Sequence, residues 1–152
     1  MALKPDRVEH LTDLSFFMNT TATRGQIVTH STSSEGSGAA MDDSAALVIV
    51  ATGSGDSPAG LLLNDVVDLD LTRQHINFAK DEVQKGSKVL LLRRGTVVTD
   101  NLAGTAAAGA KAYFNNTGQI TSVGGGANTT QIGRFLSKED ADGYAKVEIN
   151  IV

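Results

Sequence analysis

Apolar positions along this chain fall into short runs of strand length, and no helical stripe three or four residues apart is sustained. From Gly25 onward one local grammar repeats: a glycine-containing turn, a short run of β-branched and aliphatic residues, then another turn. Residues 26–30, 46–52, 60–71, 88–93, 96–99, 111–115, 119–122, 131–136 and 144–152 all fit it. The last run is the clearest. Tyr144, Lys146, Glu148 and Asn150 alternate with Ala145, Val147, Ile149 and Ile151, which predicts a closing strand with one wet and one buried face.

The turns carry their own signals. Asn115-Asn116-Thr117-Gly118 supplies residues that tolerate positive φ, as a tight hairpin requires. Three strands open alike, at Arg24-Gly25-Gln26, Lys85-Gly86-Ser87 and Ala108-Gly109-Ala110; a glycine there permits a sharp entry, although the match is too short to argue a duplication. Helical signals are sparse. Gly104 and Gly109 interrupt the alanine run of 100–112, leaving one turn at most, and 137–140 reads equally as a helix start capped by Ser137 or as a polar turn.

This pattern predicts an all-β fold, a small β-barrel or β-sandwich with long loops, over residues 25–152. Loops are expected at 31–44, where Ser, Thr, Gly and acidic residues leave almost nothing to bury, and at 124–130. Residues 1–24 differ from the rest. Leu11, Leu14, Phe16, Phe17 and Met18 cluster there without clean alternation, which reads either as an N-terminal arm that packs on a neighbouring subunit or as an edge element of the same domain.

Composition narrows the function. With no Cys, no Trp, five Phe and two Tyr, the core must be built from Val, Ile, Leu and Ala, so few bulky anchors are available and part of the stability is expected from a partner. The lack of Cys removes disulfides, thiolate metal sites and cysteine nucleophiles, and fits a protein made in a reducing cytosol. Lys4, Asp6, Arg7, Glu9 and Asp13 break up the first fourteen residues, so no secretory signal is expected there. No run approaches the roughly 20 apolar residues needed to cross a bilayer, and a net charge of −4 gives no general basic footprint. Neither a membrane nor a nucleic acid is therefore expected as a partner.

Candidate chemistry fails on spacing. In the stretch 104–111, Ala110 stands where a phosphate-binding loop needs its Lys, and Lys111 begins a strand instead of a helix. Gly55-Asp56-Ser57 resembles an ester-hydrolase nucleophile block, but no Asp stands at the required distance before His10, His30 or His75. The three histidines have no metal-ligand spacing. Asp65, Asp68 and Asp70 could hold a cation or line a solvated strand face. Gly124-Gly125-Gly126 leads to Asn128-Thr129-Thr130 and no helix, so it is a loop. No catalytic residue, cofactor or metal is expected.

A family resemblance covers residues 25–152. Gly25-Gln26-Ile27-Val28, Lys85-Gly86-Ser87-Lys88-Val89, Ala-Gly-Ala-Lys-Ala-Tyr-Phe-Asn-Asn-Thr-Gly-Gln-Ile-Thr at 108–121, Gln-Ile-Gly-Arg-Phe-Leu at 131–136 and Ala-Asp-Gly-Tyr-Ala-Lys-Val-Glu-Ile at 141–149 together resemble the small decoration, or cement, proteins of tailed-bacteriophage capsids. The resemblance implies a non-enzymatic virion protein on the capsid exterior, commonly a homotrimer, that binds the major capsid protein and staples capsomers after expansion. With that role, Leu11, Leu14, Phe16, Phe17 and Met18 become the expected capsid or intersubunit contact.

Two other readings compete. A carbohydrate- or receptor-binding β module of a phage tail or cell surface would share the strand pattern, but sugars are gripped on aromatic platforms, and Tyr113 and Tyr144 are the only tyrosines. A small enzyme with a site between subunits would need a nucleophile and base that the sequence does not name.

Overall fold

The computed structural model describes residues 2–31, 47–52, 56–67, 81–126, 128 and 130–151. These residues are all-β, in the order β1 (Val8–Met18), β2 (Ala22–Thr23), β3 (Ile27–His30), β4 (Leu47–Val50), β5 (Pro58–Leu62), β6 (Glu82–Val83), β7 (Lys88–Thr99), β8 (Leu102–Ala103), β9 (Lys111–Phe114), β10 (Ile120–Thr121), β11 (Gln131–Phe135) and β12 (Ala145–Asn150). Ten of them form one mixed sheet, β1-β4-β3-β5-β7-β12-β11-β9-β10-β8, while β2 and β6 form a separate ribbon. β1 pairs with both β4 and β7, so the pairings of β1, β4, β3, β5 and β7 return on themselves. The other five strands run on from β7. The result is a sandwich-like sheet and not a single closed barrel.

The core explains that shape. One cluster gathers Ile27, Leu61, Leu63, Leu92, Val97, Phe114, Ile120, Ile132, Phe135, Val147 and Ile149; a second gathers Met18, Val28, Val48, Leu62, Val83, Val89 and Leu91. Neighbouring residues of β3, β5 and β7 divide between them: Ile27 and Val28, Leu61 and Leu62, Leu92 and Leu91. At these positions the strands are buried on both faces, so Ile27-Val28, Leu61-Leu62 and Leu91-Leu92 read as continuous apolar runs and not as alternation. Each such Leu or Ile, fully sheltered here, contributes about 1.5–3 kcal/mol relative to exposure. Leucine and isoleucine packed twice over thus do what aromatic residues do elsewhere.

The glycine entries are one device used three times. Gly25, Gly86 and Gly109 have φ of 91°, 87° and 84°, and each is third in a turn closed by a backbone bond: Gln26 N–H to Thr23 O at 3.2 Å, Ser87 N–H to Gln84 O at 3.2 Å, Ala110 N–H to Ala107 O at 3.1 Å. A type II turn demands positive φ at that place. The hairpin expected at 115–118 joins β9 to β10, with Phe114 opposite Ile120 and the Asn115 side-chain oxygen accepting from Thr117 and Gln119 N–H groups.

Some boundaries move. Runs 88–93 and 96–99 are one strand, β7, which continues through Gly95 at φ 154°, a conformation that favours glycine. The run 60–71 begins earlier, at Pro58, and β5 ends at Leu62. No helix occurs among the described residues. Residues 137–143 form the polar turn, organised by Asp140, whose carboxylate accepts from Asp142 and Tyr144 N–H at 3.0 and 2.8 Å. The loop expected at 31–44 lies, after Ser31, outside the described residues, as do Asp68, Asp70 and His75.

The N-terminal segment is woven into this fold. Leu3 is buried and bridges Thr99, Ala2 N–H donates to the Asp81 carboxylate at 3.0 Å, and Arg24 pairs with the same carboxylate at 3.1 Å. β1 then follows β7 from Val8 opposite Thr96 to Phe17 opposite Lys88. β1 is paired with β7 along its length and with β4 at its end, while most of its side chains stay outside.

Candidate interaction surface

β1 is joined to the sheet by its backbone but leaves its apolar side chains unspent. Of its eleven residues only Met18 is buried. Met18 belongs to the second core cluster at 1% exposure, and its place is inside the chain's own interior. Phe16 is half-buried against that cluster and meets the His30 ring at 5.4 Å, while half-buried Phe17 lies 6.0 Å from the Lys88 ammonium. Leu11 and Leu14 point out, at 46% and 54% exposure, and Val8 joins them at 46%. The second edge of β1 is taken only at Phe17 and Met18, by β4. Along residues 8–16 no described strand covers it. A long, apolar strand edge of this kind is a template for another chain.

Next to β1 the sheet presents an outer face whose rows follow from register. Residues directly opposite one another in antiparallel strands share a face. Val8, Thr96, Glu148, Arg134 and Lys111 therefore form one row across β1, β7, β12, β11 and β9, and Leu11, Arg94 and Asn150 form the next. Lys146, opposite Val98, lies on the same side of β12. Two glycines hold the strands close here: a Cβ on Gly95 would overlap the Val8 carbonyl oxygen, and one on Gly133 the Glu148 carbonyl oxygen. A shallow open groove of about 350 Å³ runs between His10, Arg94, Thr96, Glu148 and Asn150.

Charge is unevenly spread. Arg94, Lys111, Arg134 and Glu148 are exposed on this face and Lys146 is half-buried. Lys146 reaches Asp6 at 4.0 Å and Arg134 donates to the Gly109 carbonyl at 3.0 Å. At the 137–143 turn the balance is opposite. There the Tyr144 backbone N–H, then that of Asp142 and the nearby Lys4, hold the Asp140 carboxyl below its usual range. The Tyr144 hydroxyl is pushed up by burial and by Asp100 and Asp81, with Lys4 over its ring at 4.2 Å. On β1, the Ser15 hydroxyl and backbone N–H and the Arg93 charge together hold Asp13 low.

The structure disperses the residues considered for chemistry. His10 lines the groove, His30 packs on Phe16, and Lys111 stands on the outer face. Ser57 serves the ladder through its carbonyl, which accepts the His30 N–H at 3.0 Å. Among the described residues no three His, Asp or Glu side chains converge as metal ligands. The sequence missed the outer face. Its members lie on strands far apart in the chain, and only the register brings them together.

The sheet leaves an apolar strand edge and a charged outer face exposed, with core residues on both sides of stretches of β3, β5 and β7. The family model described as structural cement protein (E217 gp24/Pam3 gp6) matches residues 13–150. The chain belongs to this family of phage structural cement proteins and is a structural component of the virion. No match was found among the curated proteins.

Proposed function

We propose that the chain is a non-enzymatic cement subunit that binds the outer surface of a phage capsid and bridges capsomers of the major capsid protein, acting as a homotrimer made in the host cytoplasm. The observation that carries this reading is the family match over 13–150, joined to an exposed apolar strand that the chain's own core leaves uncovered. Leu11 and Leu14 are its primary contacts, with Phe16 and Phe17 beside them and Val8 extending the stripe. Met18, the fifth expected contact, acts from within by fixing β1 to the core.

The physics of such a role asks for little chemistry. Each copy buries a modest area on several neighbours, and many copies on a repeating lattice multiply weak contacts through avidity. The test is occupancy. Expanded capsids lacking the protein are mixed with wild type or with a Leu11→Asp/Leu14→Asp variant and pelleted. The variant is expected to fold with an unchanged unfolding midpoint and to lose most of its occupancy. Equal occupancy of both would overturn β1 as the contact.

A further inference from the structure

We infer that the outer face beside β1 docks a carboxylate-bearing protein surface, with Arg94, Lys111 and Arg134 as its cationic anchors; this rests on the cement reading and names the chemistry of the surface it meets. The chain as a whole carries −4, with 13 basic against 17 acidic residues. On this face the balance reverses: Arg94, Lys111, Arg134 and Lys146 stand against Glu148 and Asp6, and Asp6 is paired with Lys146 at 4.0 Å. Among the described residues Arg94, Lys111 and Arg134 form no ion pair, so their charge is free to meet a partner.

The layout selects a protein over a nucleic acid. Glu148 sits in the middle of the row, between Thr96 and Arg134, where a continuous phosphate backbone would meet it as a repulsive charge. It calls instead for a donor from the partner. Val8 and Leu11 end the two rows on exposed apolar side chains, at 46% each. This face is therefore continuous with the proposed β1 contact, and a fitting partner presents carboxylates beside an apolar spot. The groove between Arg94 and Glu148 has room for a projecting side chain. Charges so placed steer encounter and fix register more than they add affinity.

The test is charge reversal on whole protein and expanded capsids lacking it, read by cosedimentation across a salt series. Arg94→Glu/Arg134→Glu, with Lys111→Glu as an independent variant should the pair fail to fold, is expected to bind about tenfold more weakly and with a shallower salt dependence. Lys138→Glu, an exposed lysine on the 137–143 turn, controls for net charge and should stay within twofold of wild type. Reversal variants that match wild type would overturn this inference and leave the cement reading standing. Wild type that fails to pellet with capsids would overturn the reading beneath it. Duplex DNA is the second probe: anisotropy showing that DNA binds at physiological salt through Arg94 and Arg134 would also overturn it.

Discussion

Gly133 and Gly95 are the residues at which one added methyl group decides the sheet. Each faces a backbone oxygen across a strand pair, and backbone cannot step aside as a flexible side chain does. Gly133→Ala should cost about 3 kcal/mol or more by overpacking. Gly86→Ala meets nothing within 4 Å and carries only the strain of φ 87°, about 1–2 kcal/mol. Urea unfolding of the two variants checks the order, and equal losses would contradict the packing account. Asp140 makes a pH prediction. Its folded carboxyl is held low chiefly by the Tyr144 N–H, so its contribution is complete above the ordinary value of 3.8 and is lost as pH falls through the depressed one. A carboxyl titration followed by NMR should place Asp140 below 3.8, and in Asp140→Asn the acid-side loss of stability should shrink. The Ile132-Gly133 pair was visible in the sequence as a motif. Its reason, contact with Glu148 fifteen residues later on the neighbouring strand, was not.

Elements were legible where one period ruled them. β12 alternates without exception and was read within a residue or two at each end; β3, β9 and β11 were bounded by turn signals. β1 was read only as a cluster, because its register slips between Glu9 and Leu11, Leu11 and Thr12, and Asp13 and Phe16, and each irregularity resets which face the next side chain meets. Leu11, Leu14 and Phe16 therefore share no period. The same strand makes a sharp prediction about division of labour. Met18→Ala removes a fully enclosed side chain and should cost about 2–5 kcal/mol. Leu14→Asp, at an exposed position, should change stability by no more than about 0.5 kcal/mol while lowering capsid occupancy. If Leu14→Asp unfolded the protein, or Met18→Ala left it unchanged, the assignment of one residue to adhesion and the other to the core would be wrong.

At the scale of the whole molecule, the all-β class followed from strand-length runs and glycine turns. The return of β1 onto β7 did not, since pairing between distant strands leaves no local trace. The same holds for the outer face, whose charges come from four separate strands. What the composition did foretell is the thinness of the aromatic core, met here by leucines and isoleucines shared between two clusters, while Val8, Leu11 and Leu14 on β1 stay exposed and, as proposed, meet another surface. The surface proposed to meet β1 is a phage capsid. Cosedimentation of the purified protein with expanded capsids lacking it decides this, with the mass of the free protein taken by light scattering. Saturable binding at a fixed ratio by a trimer is the predicted result. Protein that stays in the supernatant at every concentration, whatever its mass, would contradict it.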